Sequence, residues 1–137
     1  MSKTSPDSGS PTLQSPALLL TVFIAAVCGL VYELIAGALS SYLLGDSVTQ
    51  FSLIIGLFLT AMGIGAWLSK FIEKHLLSRL VAIEMGIGII GGITAYAGFA
   101  AYAFTSAYEA VLYTLVLTVG ALVGMEIPLV IRILRTE

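Results

Sequence analysis

Four long apolar runs separated by short polar connections organise this chain. A first stretch of Ser, Pro and Thr (MSKTSPDSGSPTLQS) is followed by apolar runs over about 17–44, 51–68, 80–104 and 110–134. A helix crosses roughly 30 Å of hydrocarbon with about 20 apolar residues, and each run meets or approaches that length. Pro16 suits the first helix start, where a missing N–H leaves no hydrogen bond unmade. The first run is long enough to tilt, or to break near Gly37 or Gly45. The connections 45–50, 69–79 and 105–109 are short, which sets consecutive helices side by side and antiparallel. The pattern predicts an all-α integral membrane four-helix bundle, a transmembrane domain over 17–135 behind a flexible polar tail at 1–16.

Composition sharpens this class. Hydrophobic residues make up 58% of the 137 positions and charged residues 10%, against about 25% charged in ordinary soluble domains. A soluble domain of this size could not hide so much apolar surface, and disorder is excluded for most of the length. The first apolar run continues past any signal-peptide core and meets Glu33, so an uncleaved membrane helix is expected. A net charge of −2 with no basic stripe argues against nucleic acid as a partner. One His and one Cys, far apart, make no zinc cluster. Cys28, inside the first run, reads as a small buried thiol. No metal and no cofactor is expected.

Charge also orients the helices. Lys3, Lys70, Lys74, Arg79, Arg132 and Arg135 are all the basic residues present, and all fall on one side if the N-terminus is cytoplasmic. The other side carries Asp46 and Glu109 and no cation. By the positive-inside rule both termini are cytoplasmic, in a bacterial inner membrane. Within Ser69–Arg79 (SKFIEKHLLSR) apolar and basic residues alternate, as in a short amphipathic turn at the headgroups, with His75 a solvated interface residue.

Helices in lipid pack through small residues, and these recur at helical spacing. Ala25, Ala26, Gly29, Ala36, Gly37 and Ser40 mark the first helix, and Ser52, Gly56, Thr60 and Gly63 the second. Gly88, Gly91, Gly92 and Ala95 mark the third, and Gly120 and Gly124 the fourth. Close packing is expected at Gly29, Gly37, Gly56, Gly63, Gly88, Gly92, Gly120 and Gly124. The string Gly86–Gly91 matches GxGxxG formally. It lies inside an apolar helix, without the strand and turn that dinucleotide binding requires.

Three acids need a reason, since an ionised side chain at the bilayer centre costs about 2.5–3.5 kcal/mol even on the lenient insertion scale. Glu33 lies between Gly29 and Gly37 on the small-residue stripe and so faces other helices. Glu84 shares the glycine stripe of the third helix. Glu126 lies two residues before Pro128, whose missing N–H leaves the Gly124 carbonyl without a donor. Each has a structural explanation: Glu33 hydrogen-bonded to a neighbouring Ser, Thr or Tyr, Glu84 paired with Arg79 or Lys74, Glu126 paired with Arg132. Each also has a functional one, a proton or cation path. Glu33, Glu84, Glu126 and Arg132 form the candidate intramembrane polar site. No catalytic residue is assigned, because no Ser–His–Asp set, nucleophile elbow, P-loop or metal motif is present.

The run Val31–Ser69 (VYELIAGALSSYLLGDSVTQFSLIIGLFLTAMGIGAWLS) resembles the start of the membrane domain of membrane-bound spermidine synthase-like proteins, polyamine aminopropyltransferases with N-terminal transmembrane helices. Leu80–Gly92 (LVAIEMGIGIIGG) and Leu122–Leu134 (LVGMEIPLVIRIL) resemble the same domain in the same order. The resemblance covers the chain from about Leu18 to Arg135. It is carried by the pattern around Glu33–Gly37, by Leu44–Ser47 and by Glu126–Pro128. Family members continue with further membrane helices and a Rossmann-like catalytic domain that binds decarboxylated S-adenosylmethionine and the polyamine acceptor. The resemblance therefore implies the first four helices only, with the catalytic domain absent. Three functions stay open: a non-catalytic scaffold or accessory subunit packing on another membrane protein or on itself, a cation or polyamine transport or sensing module using the carboxylates, and a membrane anchor for an aminopropyltransferase on another chain.

Overall fold

The computed structural model describes residues 14–136. It has four helices in order: α1 (Gln14–Leu44), α2 (Ser47–Leu68), α3 (Leu76–Phe104) and α4 (Tyr108–Thr136), with a 3-10 turn at Ser69–Phe71 closing α2. Each is long and apolar enough to cross a membrane. Most of the polar tail expected at 1–16 lies outside the described residues, and its last three positions belong to α1.

Local chemistry extends the helices beyond the apolar runs. α2 begins at Ser47 instead of 51 because Asp46 caps it. Its carboxylate accepts from the Thr49 N–H at 3.4 Å and from Thr49 Oγ1 at 2.7 Å, meeting donors that the first helical turn leaves unpaired. The reversal before it is made at Gly45, φ 88°, a backbone conformation that glycine adopts without steric penalty. α3 begins at Leu76 instead of 80, after His75 turns the chain in the left-handed region at φ 54°. α1 runs unbroken through Gly37, with no break at the glycine.

α4 is the hub. Its residues Leu112, Val116, Val119, Val123 and Val130 are buried and recur alternately four and three apart, apart from one gap filled by Glu126. Seven residues make nearly two whole helical turns, so that spacing keeps one stripe facing inward. It packs on Ile54 and Phe58 of α2 and on Tyr32, Ala36 and Leu39 of α1. A second cluster joins Leu80 and Ile83 of α3 to Leu129 and Val130. The tightest approach is between α2 and α4. A Cβ built on Gly124 would strike the Met62 backbone, one on Gly65 the Ala121 carbonyl, and one on Gly120 would stand 2.9 Å from the Phe58 carbonyl oxygen. Hydrogen at these positions lets the two backbones touch, which is how helices gain contact when lipid supplies no hydrophobic driving force.

Polar ties join the helices at both ends. Near the α1–α2 turn, Ser40 Oγ donates to Gln50 Oε1 at 2.7 Å, and the Tyr113 hydroxyl donates to the same oxygen at 3.4 Å. At the opposite end Arg132 Nη1 donates to the carbonyls of Ser69 and Ile72, both at 2.9 Å. Lys70 lies there too, its Nζ 4.1 Å from the centroid of the Trp67 ring.

Candidate functional site

Of the four residues in the expected polar site, the fold brings two together. Glu84 from α3 and Glu126 from α4 line one cleft of about 210 Å³, closed on its third side by Thr21, Ala25 and Cys28 of α1. Glu126 arrives there because it holds a core position in the α4 seam, and only 2% of it is exposed. Glu84 follows Leu80 and Ile83, which fix that turn of α3 against Leu129 and Val130. One carboxylate oxygen of each acid, Oε1, is buried without a hydrogen-bond partner. Buried polar atoms left unpaired cost about 1–3 kcal/mol each, so two at one cleft need a physical account.

Glu33 and Arg132 sit elsewhere. Glu33 is half-buried on α1 and lies outside this cleft. Arg132 is turned to the end of α2, where it donates to the Ile72 carbonyl and to the Ser69 carbonyl, which also accepts from the Ile72 N–H. Glu126 and Arg132 are six residues apart on one helix, about 240° around its axis, and so point to different neighbours.

The cleft continues into a longer groove of about 430 Å³ between α1 and α3, with Cys28, Ile87 and Gly88 common to both. Val27, Val31, Ile35 and Leu39 form its apolar wall on α1. Polar atoms enter it at Tyr32 and Thr94, whose oxygens lie 3.4 Å apart, Thr94 Oγ1 also donating to the Ile90 carbonyl at 2.8 Å. Among the described residues no group of three or more His, Cys, Asp or Glu is placed to hold a metal ion.

The expected packing glycines divide. Gly29 meets the Val123 side chain at 3.6 Å, Gly37 lies under the Phe51 ring, and Gly120 and Gly124 meet α2. A Cβ on Gly56, Gly63, Gly88 or Gly92 would meet no described atom within 4 Å. Two close approaches escaped the sequence reading, Gly65 on Ala121 and Gly98 on Leu39. Gly65 follows Gly63 at a spacing that places them about 200° apart on the helix, so one stripe could not hold both. Gln50 also went unnoticed. It sits in a connection by composition and in the first turn of α2 in the structure.

Four apolar helices around a core that carries a buried carboxylate define a helical bundle with an acidic cleft. Comparison with known proteins gives its relationship. The chain is 57% identical over 120 residues to polyamine aminopropyltransferase 2 of Ralstonia nicotianae, covering 86% of this chain and 24% of that protein. It is 55% identical over 131 residues to polyamine aminopropyltransferase 1 of the same organism, covering 93% and 25%. It is 48% identical over 121 residues to the polyamine aminopropyltransferase of Leptospira interrogans, covering 88% and 24%. These relatives all carry the name polyamine aminopropyltransferase, and the chain spans about a quarter of the length of the curated relatives it matches. No family model matches the chain, and no solved structure matches it.

Proposed function

We propose that this chain forms a non-catalytic, multi-pass membrane module of the polyamine aminopropyltransferase type, which packs against another membrane protein or a second copy of itself. The observation that carries this is the outer face of α2. Ser52, Gly56, Thr60 and Gly63 make a small-residue stripe there. Ser52 and Thr60 are exposed and satisfy their own hydroxyls on the carbonyls of Val48 and Gly56 at 2.7 Å, while neither glycine meets a neighbour. A flat stripe with no unsatisfied polar group is the surface on which a second helix approaches closely in lipid. None of the chemistry of aminopropyl transfer is assigned to these residues.

In this proposal residues 17–135 cross a bacterial inner membrane with both termini in the cytoplasm. The supporting feature is charge. Arg132 meets the end of α2, so it gathers at the same end of the bundle as Lys70, Lys74 and Arg79, and Asp46 and Glu109 occupy the other. The Trp67–Lys70 contact suits a headgroup boundary at the basic end, where aromatic rings and snorkelling lysines collect.

The relatives' name favours a second reading, in which the module anchors an aminopropyltransferase carried on another chain. Native mass spectrometry of the chain released mildly from its own membranes tests both. A fixed oligomer or a complex of defined composition that Gly56→Leu and Gly63→Leu dissociate, with helicity unchanged, is the expected result. A monomer under all release conditions would overturn the packing proposal. A partner with aminopropyltransferase activity would establish the anchor.

A further inference from the structure

Glu126 is a carboxylate almost wholly withdrawn from its surroundings, with Oε1 unpartnered and lining a cleft. Glu84 reaches the same cleft from another helix, and its own Oε1 is likewise buried and unpartnered. The two acids are brought together by one packing contact, Glu126 from its place in the α4 seam and Glu84 from the Leu80–Ile83 turn of α3 that rests on Leu129 and Val130. Each acid thus presents a buried acceptor oxygen to the cleft, able to take a hydrogen bond from a donor that enters it.

The shape beyond the acids narrows what that donor is. The groove that leads away from them is apolar for most of its length and about twice the size of the acidic foot. A hydrated metal ion has no use for such a wall, and the cleft offers it no third acidic, thiolate or imidazole ligand of suitable geometry among the described residues. A primary ammonium on a hydrocarbon chain matches both parts. Its three N–H donors can serve both carboxylates, and its methylenes replace water or lipid along Ile87 and Val31. We infer that the cleft between α1, α3 and α4 binds an aliphatic primary ammonium, its charged end between Glu84 and Glu126 and its chain along the groove toward Tyr32. That chemistry occurs in a free polyamine and in the headgroup of an aminophospholipid. The site is independent of assembly, since the stripe proposed for packing lies on α2.

The full chain in nanodiscs of phosphatidylcholine alone tests this. Spermidine is titrated in one arm and phosphatidylethanolamine is introduced in the other, with thermal unfolding as the readout. The expected result is a saturable rise in Tm in at least one arm, and the responding arm identifies the source of the ammonium. Glu126→Gln and Glu84→Gln should each weaken the response at least 10-fold. Gly88→Leu keeps both charges and fills the cleft at a position where a Cβ meets nothing, and it should weaken the response as much. Glu109→Gln, exposed at the far end, should leave it intact. Circular dichroism reports whether each variant keeps its helices. The inference is overturned by a wild-type protein that responds to neither ligand. It is overturned equally by a response that survives Glu126→Gln and Gly88→Leu, or by one that choline or Mg²⁺ reproduces at the same concentration.

Discussion

Two glycines on the small-residue stripes, Gly63 of α2 and Gly124 of α4, behave oppositely in the structure. At Gly124 a Cβ would enter the Met62 backbone, so Gly124→Ala must push α4 away from α2, and overpacking of this kind costs about 1–3 kcal/mol. At Gly63 a Cβ meets nothing, and Ala is a better helix former than Gly by about 1 kcal/mol. Denaturant-induced unfolding of purified protein in detergent should therefore show Gly124→Ala destabilised and Gly63→Ala unchanged or stabilised. Equal losses at both sites would mean that α2 and α4 do not touch at Gly124. Asp46 gives a second test at this scale. Hydrogen bonds from the Thr49 hydroxyl and then its N–H hold the Asp46 carboxyl below its usual pKa. A carboxylate whose pKa is lowered by folding stabilises above the unfolded value, and that contribution disappears as pH falls through the folded value. The protection factor of the Thr49 amide, its exchange rate relative to an unstructured chain at the same pH, should accordingly fall on acidification in the wild type. With Asp46→Ala it should be low at every pH, and a pH response of the protection factor that persisted would assign it to another group.

At the scale of the element, the end of α2 depends on α4. Arg132 supplies one nitrogen to two carbonyls, Ser69 and Ile72, and so fixes the 3-10 turn from outside. Hydrogen bonds from a charged donor are worth about 1.5–3 kcal/mol. Arg132→Ala should lower stability by about that amount and open the connection 72–75 to limited proteolysis before the helices themselves are cut. Protection equal to wild type would show that the turn holds without the arginine. Arg132 was legible as a basic residue in the last turns of a helix, but its companion could not be read along one helix. Glu126 lies six residues before it on the same helix, and rotation about the axis carries it to a different face.

For the whole molecule, the proposed orientation predicts which side each connection faces. With Cys28→Ser as background, a membrane-impermeant maleimide added to intact cells should label Glu109→Cys and spare Lys74→Cys. Labelling of Lys74→Cys alone would invert the topology. The apolar runs made the four helices legible, with their approximate limits, because run length is a local property and lipid leaves the backbone few ways to satisfy itself. The limits moved where a polar group did structural work, as when Asp46 drew α2 forward to Ser47. The acids were legible as expensive groups, since a lone carboxylate in an apolar run stands out wherever it points.

Sequence alone determined that this protein is helical, how many helices it has, and that the acids within its apolar runs needed partners or a purpose. It also carried the kinship that the aminopropyltransferase relatives share with it. Tertiary structure decided how each helix is turned. When every face of a helix is apolar, hydrophobic patterning no longer tells inside from outside, and shape complementarity between backbones takes over. That is why Gly65 and Gly98 pack while Gly56 and Gly92 do not. It is also why Glu84 and Glu126, far apart in the chain, share one cleft while Glu33 stands apart from it.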